Sequence, residues 1–282
     1  MVTGKLSTSL NPVQKISLID IAKSAIEKYV LSINLRIDGL SFIVQNEQTE
    51  AIHMEYFEWL NVKDWTKTKE NLAELISEHE LLKLDFVNVQ IYIQSTESFL
   101  VPDAVFSKPD LKPLYKTYFG IDNHNIFTQR MENPNAYMVF GLNQDVAQII
   151  ISKWKNLIWN HCSYFYINNC INRGNENQEV FVKLQSNYFE SVAFENRKLN
   201  SHNYFEFSNA EEFLFNLLSY IRQIGFDIEK MHLHLEGKIT TASTLHQLVK
   251  KYIPNLHFES HKSEKSEDTF HELIQSVNYA HR

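Results

Sequence analysis

The stretch LSINLRIDGLSFIV, residues Leu31–Val44, predicts the β-hairpin from which the fold of the chain can be worked out. Its first half alternates apolar and polar residues, which is the period-2 pattern of a half-buried strand. Asp38-Gly39 follows, and these residues tolerate the positive φ angles of a two-residue type I′ turn. Such a turn would place Leu35 opposite Phe42, so that the apolar side chains of both strands share one face.

The elements after this hairpin recur in the same order in the second half of the chain. A repeated β-β-β-α-β unit predicts a two-lobed α/β fold with a cleft between the lobes, and right-handed crossovers would give mixed sheets covered by helices. The predicted elements are the hairpin Leu31–Gln45, strand Glu50–Trp59, helix Thr66–Leu82 and strand Val87–Gln94, then the hairpin Val180–Glu195, strand Leu199–Phe207, helix Ser208–Gly225 and strand Met231–Glu236.

The second hairpin follows the same plan with a more polar turn, Ser186-Asn187. Folding at this turn would place Leu184 opposite Phe189, and Lys183 opposite Glu190 as a cross-strand pair of opposite charge. The helix that comes later in the second unit begins with an S-x-x-E capping box, in which we expect Ser208 and Glu211 to satisfy the first backbone N–H groups.

The remaining segments have less regular patterns. Cys162–Asn169 is compatible with either a strand or a helix, and the polar segment Asn172–Gln178 is the best candidate for a hinge. The other predicted elements are a helix over Ser17–Val30, paired strands Asn125–Met131 and Ala136–Leu142, a buried helix Asp145–Trp159, a helix Leu245–Ile253, a strand Leu256–Glu259 and a final capped helix Thr269–Ala280.

Composition excludes several classes of protein. The chain has 282 residues, 44% hydrophobic content and a net charge of −7, so it can fill real cores but lacks the basic surface of a general nucleic-acid binder. No apolar run approaches the ~20 residues of a membrane-spanning helix, and Met1–Asn11 lacks the apolar region of a signal peptide. The two cysteines, Cys162 and Cys170, are expected to be free thiols. We therefore expect a cytoplasmic protein that binds neither nucleic acid nor membrane.

The repeated units resemble the duplicated ribonuclease-H-like lobes of the actin, sugar-kinase and heat-shock-chaperone superfamily. More narrowly, the chain is similar to a bacterial domain-of-unknown-function family that is given an actin-like ATPase fold. The resemblance implies an N-terminal arm and helix over residues 1–30 and two actin-like lobes, over 31–160 and 161–282, related by internal duplication. The residues that carry it are LSINLRIDGLSFIV (Leu31–Val44), FVKLQSNYFESVAF (Phe181–Phe194), NYFEF (Asn203–Phe207) with its capped helix, and LHLEG (Leu233–Gly237).

The resemblance also implies where a nucleotide would bind. ATPases of the superfamily hold phosphate and metal at a D-x-G-S/T turn in the first hairpin and a D-x-G turn in the second, with a glycine pair near the adenosine. This chain has Asp38-Gly39-Leu40-Ser41, without the spacer residue, then Gln185-Ser186-Asn187, and a single glycine in Gly237-Lys238. The candidate cofactor-binding residues of this degenerate nucleotide site are Asp38, Gly39, Ser41 and Gly237.

Glycine usage disfavours an intact nucleotide site. The chain has 7 glycines in 282 residues, a share far below the average of about 7%. None of them occurs in a G-G or G-x-G pair. Backbone N–H groups that cradle phosphate usually need glycine, because the chain must approach closely and often adopts positive φ. Gly39 is explained as a turn residue and Gly237 as the end of a strand.

No other pattern identifies a reaction. His232 and His234 share one strand face, but without a cysteine or a helical H-x-x-x-H partner they are better interpreted as surface or partly buried histidines than as a zinc site. Glu55 and Glu58 are interpreted as an ordinary polar strand face. The aromatic segment Trp154–Tyr166 is expected to be core, with a partner-binding surface as the alternative. We therefore assign no catalytic residue and no metal ligand.

Two functions of different classes remain. The first is a non-enzymatic scaffold that keeps the actin-like fold, has lost nucleotide chemistry, needs no cofactor, and binds a protein partner or associates with itself. The second is a divergent nucleotide-binding ATPase or phosphotransferase that uses ATP and Mg around Asp38, Ser41 and Gly237. Binding of Mg-ATP separates the two.

Overall fold

The computed structural model describes residues 11–18, 21–46, 48, 50–174 and 176–258 of the chain. The described residues divide into two compact units, the first made of 11–130 and 137–165 and the second of 131–136 and 166–258. The strands are β1 (Gln14–Ser17), β2 (Val30–Arg36), β3 (Gly39–Gln45), β4 (Ala51–Glu58), β5 (Asn88–Ile93), β6 (Ser98–Pro102), β7 (His124–Met131), β8 (Ala136–Asn143), β9 (Leu157–His161), β10 (Gln178–Leu184), β11 (Tyr188–Glu195), β12 (Lys198–Glu206), β13 (His232–Gly237) and β14 (Leu256–Phe258). The α-helices are α1 (Trp65–Glu78), α2 (Leu111–Phe119), α3 (Gln144–Lys153), α4 (Cys162–Arg173), α5 (Ala210–Gln223) and α6 (Thr244–Tyr252).

The two units repeat one sheet topology. The first sheet has the order β1-β4-β3-β2-β5-β9 and the second has β12-β11-β10-β13-β14, so the orders match once β1 is set aside. In each unit the first three strands are antiparallel, and the strand after the helix returns parallel to the first. The predicted β-β-β-α-β units are therefore confirmed. A smaller sheet, β6-β8-β7, confirms the predicted pairing of β7 with β8.

The first hairpin forms with a register two residues away from the predicted one. Leu35 pairs with Leu40 rather than with Phe42, which makes Ile37-Asp38 the turn, and neither these residues nor Gly39 has a positive φ. The predicted type I′ turn at Asp38-Gly39 is therefore wrong. A shift of two residues keeps the same side chains on the same face, so the apolar pattern alone could not distinguish the registers.

The second hairpin and its core follow the prediction. Leu184 pairs with Phe189 and Lys183 with Glu190, so that Ser186-Asn187 is the turn. One face of this sheet packs against α5 and α6 through fully buried side chains such as Phe213. Burial of this apolar face is the main source of stability in the second unit.

The cap of helix α5 lies one residue later than predicted. Asn209, not Ser208, is the cap, because its Oδ1 accepts a hydrogen bond from the Glu212 N–H at 2.9 Å. Glu212, not Glu211, reaches back and accepts from the Ser208 N–H at 2.8 Å. The capping box therefore exists, displaced by one residue.

One predicted helix is too long, one is wrong, and one ambiguity is resolved. The predicted helix over Asp145–Trp159 ends at Lys153, because the chain then enters β9, which pairs parallel with β5. The predicted helix over Ser17–Val30 is replaced by β1, a short 3-10 segment Lys23–Lys28 and the start of β2. Cys162–Asn169 is helical and belongs to α4, which continues to Arg173 and so into the predicted hinge.

The predicted final helix Thr269–Ala280 lies outside the described residues. Within the part of the chain that is described, no helix has both the length and the apolar character that a bilayer crossing demands.

Candidate functional site

The turn of the first hairpin carries a carboxylate that is already paired with a cation. Asp38 lies in the turn with its side chain half-exposed, and its Oδ1 accepts a hydrogen bond from Arg36 Nε at 3.2 Å. The Arg36 guanidinium is held from two further sides, by the Phe57 carbonyl at 3.3 Å and by the Tyr56 ring 4.7 Å below it. A charge-assisted bond to a fixed guanidinium occupies an oxygen that a metal ion or its water would need.

Gly39 and Ser41 follow Asp38 but are placed by the sheet. A Cβ at Gly39 would lie 2.3 Å from the Phe57 carbonyl oxygen, so glycine is required for the close approach of β3 to β4. Ser41 is 1% exposed in the middle of β3, between Asn34 of β2 and Tyr56 of β4. Of the three candidates in this hairpin, only Asp38 has a substantially exposed side chain.

Gly237 belongs to the second unit and has a structural role there. Its φ is +98°, and a Cβ would lie 2.3 Å from the Leu184 oxygen. The next residue, Lys238, donates its backbone N–H to the same oxygen at 2.9 Å. Its ammonium also donates to the Ser186 hydroxyl at 3.3 Å, so a cation rather than a glycine-lined cradle adjoins the second turn.

A polar cluster in the first unit was missed in the sequence. Strands β2, β5 and β9 run parallel, so their carboxyl ends meet at one edge, where α/β proteins commonly bind ligands. There Asn34 donates to Gln94 at 3.1 Å, and His161 Nε2 lies 3.5 Å from the Ser95 hydroxyl. His161 Nδ1 accepts from the Ser163 N–H at 3.3 Å, which places the proton on Nε2.

A second polar cluster, the Glu55 cluster, is buried between β4 and the end of α1. Glu55 is 0% exposed, and its carboxylate accepts from His53 Nε2 at 2.7 Å, His79 Nε2 at 2.9 Å and Lys15 Nζ at 2.8 Å. Burial would raise the pKa of Glu55, but the hydrogen bonds from His53, His79 and Lys15 outweigh it and hold that pKa well below its ordinary value. The interpretation of Glu55 as part of an ordinary polar strand face, together with Glu58, is therefore wrong for Glu55.

One imidazole of the Glu55 cluster is fixed in a single neutral tautomer. His79 Nδ1 accepts from the backbone N–H groups of Leu81 at 3.3 Å and Leu82 at 3.4 Å, so the ring proton is on Nε2 and points at Glu55. The cluster therefore joins the end of α1 to the sheet by complementary donors and acceptors. Nothing in it is arranged as a nucleophile with its base.

A row of histidines lies on the second sheet, on the face away from α5. His234 stacks on Phe181 at 4.3 Å, donates to Glu179 at 3.1 Å, and lies against His257 at 4.8 Å. Burial, together with the nearby His257, Arg173 and His232, lowers the pKa of His234 to about 4. Its ring is therefore neutral at physiological pH.

The burial of His232 and His234 and the free state of both cysteines are as predicted. His232 and His234 are partly buried, as expected. Across the described residues, no group of three histidine, cysteine, aspartate or glutamate side chains is arranged to hold a metal ion. Cys162 and Cys170 are buried free thiols, and burial raises the pKa of Cys170 well above its ordinary value.

Comparison with solved structures shows the fold. The chain superimposes on a Bacteroides thetaiotaomicron protein, described as having an actin-like ATPase fold and unknown function, with a TM-score of 0.78 and 20% identity, over 91% of this chain and 99% of that one. It also superimposes on a chain of the PilM-PilN type IV pilus biogenesis complex, with a TM-score of 0.51 and 9% identity, over 88% of this chain and 98% of that one. This protein has the actin-like ATPase fold.

Comparison with sequences shows the family. No curated protein matches the chain significantly. The family model described as "Protein of unknown function (DUF3822)" matches residues 20–256, which is most of the chain. The protein therefore belongs to the DUF3822 family.

Proposed function

We propose that this protein is a non-enzymatic scaffold that uses the actin-like fold to bind a protein partner and carries a degenerate nucleotide site. The observation that carries the proposal is the bond between Arg36 and Asp38. In the superfamily that this chain resembles, the aspartate of the first turn serves phosphate and metal. Here its oxygen accepts from a guanidinium that is itself fixed by Tyr56 and Phe57.

The second unit supports the same proposal. Its turn, Ser186-Asn187, has no acidic residue, and Lys238 donates to the Ser186 hydroxyl. Gly39 and Gly237, the glycines at the expected positions, are both accounted for by close contacts with backbone oxygens of neighbouring strands. The chain of the PilM-PilN complex further suggests that this fold is compatible with assembly.

Calorimetric titration with Mg-ATP tests the proposal. We expect no saturable heat for the wild-type chain, and none for Asp38→Ala, which serves as the matched control. Arg36→Gln frees the carboxylate while retaining a polar side chain. Binding in this variant alone would support the view that Arg36 blocks the site. Micromolar binding to the wild-type chain that disappears in Asp38→Ala would refute the scaffold proposal.

The alternative is a divergent nucleotide-binding ATPase or phosphotransferase that uses ATP and Mg at Asp38, Gly39, Ser41 and Gly237. One observation favours it, since the Asp38 side chain remains 51% exposed and could exchange Arg36 for a metal ion. Under this alternative, phosphate release from ATP should be measurable in the wild-type chain and should fall to background in Asp38→Ala.

A further inference from the structure

Three histidines form a continuous row across the last two strands of the second sheet. His232 and His234 lie on β13, and His257 lies on β14, opposite His234 in the parallel register. The His257 ring is nearly parallel to the other two, with centroid distances of 5.0 Å to His232 and 4.8 Å to His234. On this face the contact between β13 and β14 is therefore made by side chains of the type that ordinarily gains a charge between about pH 5 and 8.

The histidine pair, His232 and His257, can share only one proton at its contact. His232 Nδ1 lies 2.8 Å from His257 Nε2, so one ring donates an N–H and the other accepts with a lone pair. An imidazolium carries a proton on both nitrogens and cannot accept. Protonation of both rings would therefore replace the hydrogen bond by two opposed N–H groups and a repulsion between like charges.

His234 makes the same strand contact sensitive to a second proton. Its ring lies between Phe181 of β10, at 4.3 Å, and His257 of β14. Burial, together with His257, Arg173 and His232, lowers the pKa of His234 to about 4. Removal of β14 takes away His257 and part of the burial, so the pKa of His234 would return toward the ordinary value of about 6.5. Acidification between these values favours the form without β14 in place.

The other charged groups on this face are bonded elsewhere or are themselves positive. Glu179 of β10 accepts from His234 Nε2 at 3.1 Å. Glu236 of β13 accepts from Arg173 of α4 at 3.1 and 3.2 Å, and the Lys183 ammonium of β10 lies over an aromatic ring of α4. Within the described part of the chain no acidic side chain bonds to the histidine pair, so a second proton there meets repulsion without a counterion.

Strand β14 is held by few contacts, so a repulsion at one side chain can displace it. It pairs with β13 over three residues, and no strand among those described lies on its outer side. On the opposite face, Leu256 and Phe258 are only partly buried against the core. We propose that the histidine row is a pH-sensitive latch, which holds β14 on β13 near neutral pH and releases it on acidification. The latch goes beyond the scaffold function and does not depend on it.

Hydrogen exchange followed by mass spectrometry tests the latch in the wild-type chain at pH ~7.5 and pH ~5.5. A pKa of His234 that moves from about 4 to about 6.5 on opening favours the open form up to about tenfold more at the lower pH, and the histidine pair adds to this. We therefore expect the backbone of Leu256–Phe258 to exchange at least about tenfold faster at pH ~5.5, after correction for the intrinsic rate. The central strand β11 is the internal control and should stay protected at both pH values.

Variants identify the groups that take up the protons. His257→Phe keeps an aromatic ring against His234 but removes the histidine pair, and should leave a ratio of about tenfold or less between the two pH values. Adding His234→Gln should make the two rates equal. If His257→Phe frees β14 at both pH values, His232→Gln removes the other ring of the pair without changing β14, and should lower the ratio in the same way. His246→Gln is the matched control, because His246 touches Phe258 from the opposite face, and it should keep the wild-type ratio.

The outcomes decide the proposal. Equal exchange rates of β14 at the two pH values in the wild-type chain, or a ratio that survives in the double variant, would overturn the latch. Loss of protection in β11 together with β14 would mean that the whole unit unfolds, and would also overturn it. A ratio that disappears in His246→Gln would place the responsible proton on the other face of β14, with the same consequence.

Discussion

Replacing Glu55 by glutamine removes the charge at the centre of the Glu55 cluster while keeping the shape of the side chain. The amide can accept from the fixed His79 Nε2–H and turn its NH2 toward His53, whose ring accepts it by carrying its proton on Nδ1 toward the Ser17 hydroxyl, so both bonds become neutral ones. A hydrogen bond to a charged group is worth about 1.5–3 kcal/mol and a neutral one about 0.5–1.5 kcal/mol, so the two replacements cost about 2 kcal/mol, and loss of the partly exposed Lys15 pair adds at most about 1 kcal/mol. We expect Glu55→Gln to lower the free energy of unfolding by about 2–3 kcal/mol.

Tryptophan fluorescence during urea unfolding reports on the first compact unit, which contains the Glu55 cluster. All four tryptophans, Trp59, Trp65, Trp154 and Trp159, lie in the first unit. Glu58→Gln on the same strand is the matched control, because Glu58 is exposed, and it should change the free energy of unfolding by less than about 0.5 kcal/mol. If Glu55→Gln behaved like this control, the account of the Glu55 cluster would be refuted.

The pH dependence gives a second measurement of the same cluster. The pKa of Glu55 in the folded protein lies below the value of about 4.3 expected in the unfolded chain. The unfolded state therefore binds the proton first on acidification, so the stabilisation is complete above pH ~4.3 and is lost as pH falls through the folded pKa. The difference between wild type and Glu55→Gln should narrow below pH ~4.

Three further predictions concern the second unit. Gly237→Ala should destabilise it strongly, as a lower thermal midpoint in circular dichroism, because φ is +98° and the added Cβ would meet the Leu184 oxygen. Asn209→Ala should cost about 1 kcal/mol in urea unfolding because α5 loses its cap, whereas Asn200→Ala, at an exposed position of β12, should cost less than about 0.5 kcal/mol. Because the pKa of His234 is lowered to about 4, the unfolded chain binds its proton first, and stability should fall as pH drops from ~6.5 to ~4. His234→Gln should flatten this dependence, and an unchanged slope would contradict the assignment.

The strands could be predicted because their apolar residues alternate, but their register and ends depend on contacts that the pattern does not encode. Asp38-Gly39 is the strongest turn signal in the chain, yet Gly39 is used where β3 approaches the Phe57 oxygen. Likewise, the apolar pattern continues past Lys153, but the chain leaves the helix because Leu157–His161 pairs with β5. Both outcomes were decided by residues distant in sequence.

The candidate site could be predicted only in part for the same reason. The resemblance identified the hairpin that contains Asp38, but the Arg36 side chain that pairs with it reads in sequence as an ordinary strand residue. Glu55 alternates like an exposed residue, and its burial follows from Lys15 and His79, which lie in other elements. Gln94, at the end of a predicted parallel strand, was the available signal for the missed polar cluster, whereas His161 ends β9, a strand that the sequence did not predict.

Strand β1 lies outside the residues that match the family, which begin at residue 20, yet it contributes to the interior of the first unit. It supplies the Lys15 ammonium to Glu55 and the Ser17 hydroxyl to His53 Nδ1 at 3.1 Å. The buried Glu55 carboxylate is thus neutralised partly by a strand outside the residues that match the family. A chain shortened to the family boundary would bury Glu55 without the Lys15 ammonium and uncover β4, so the boundary of the family is not the boundary of the folding unit.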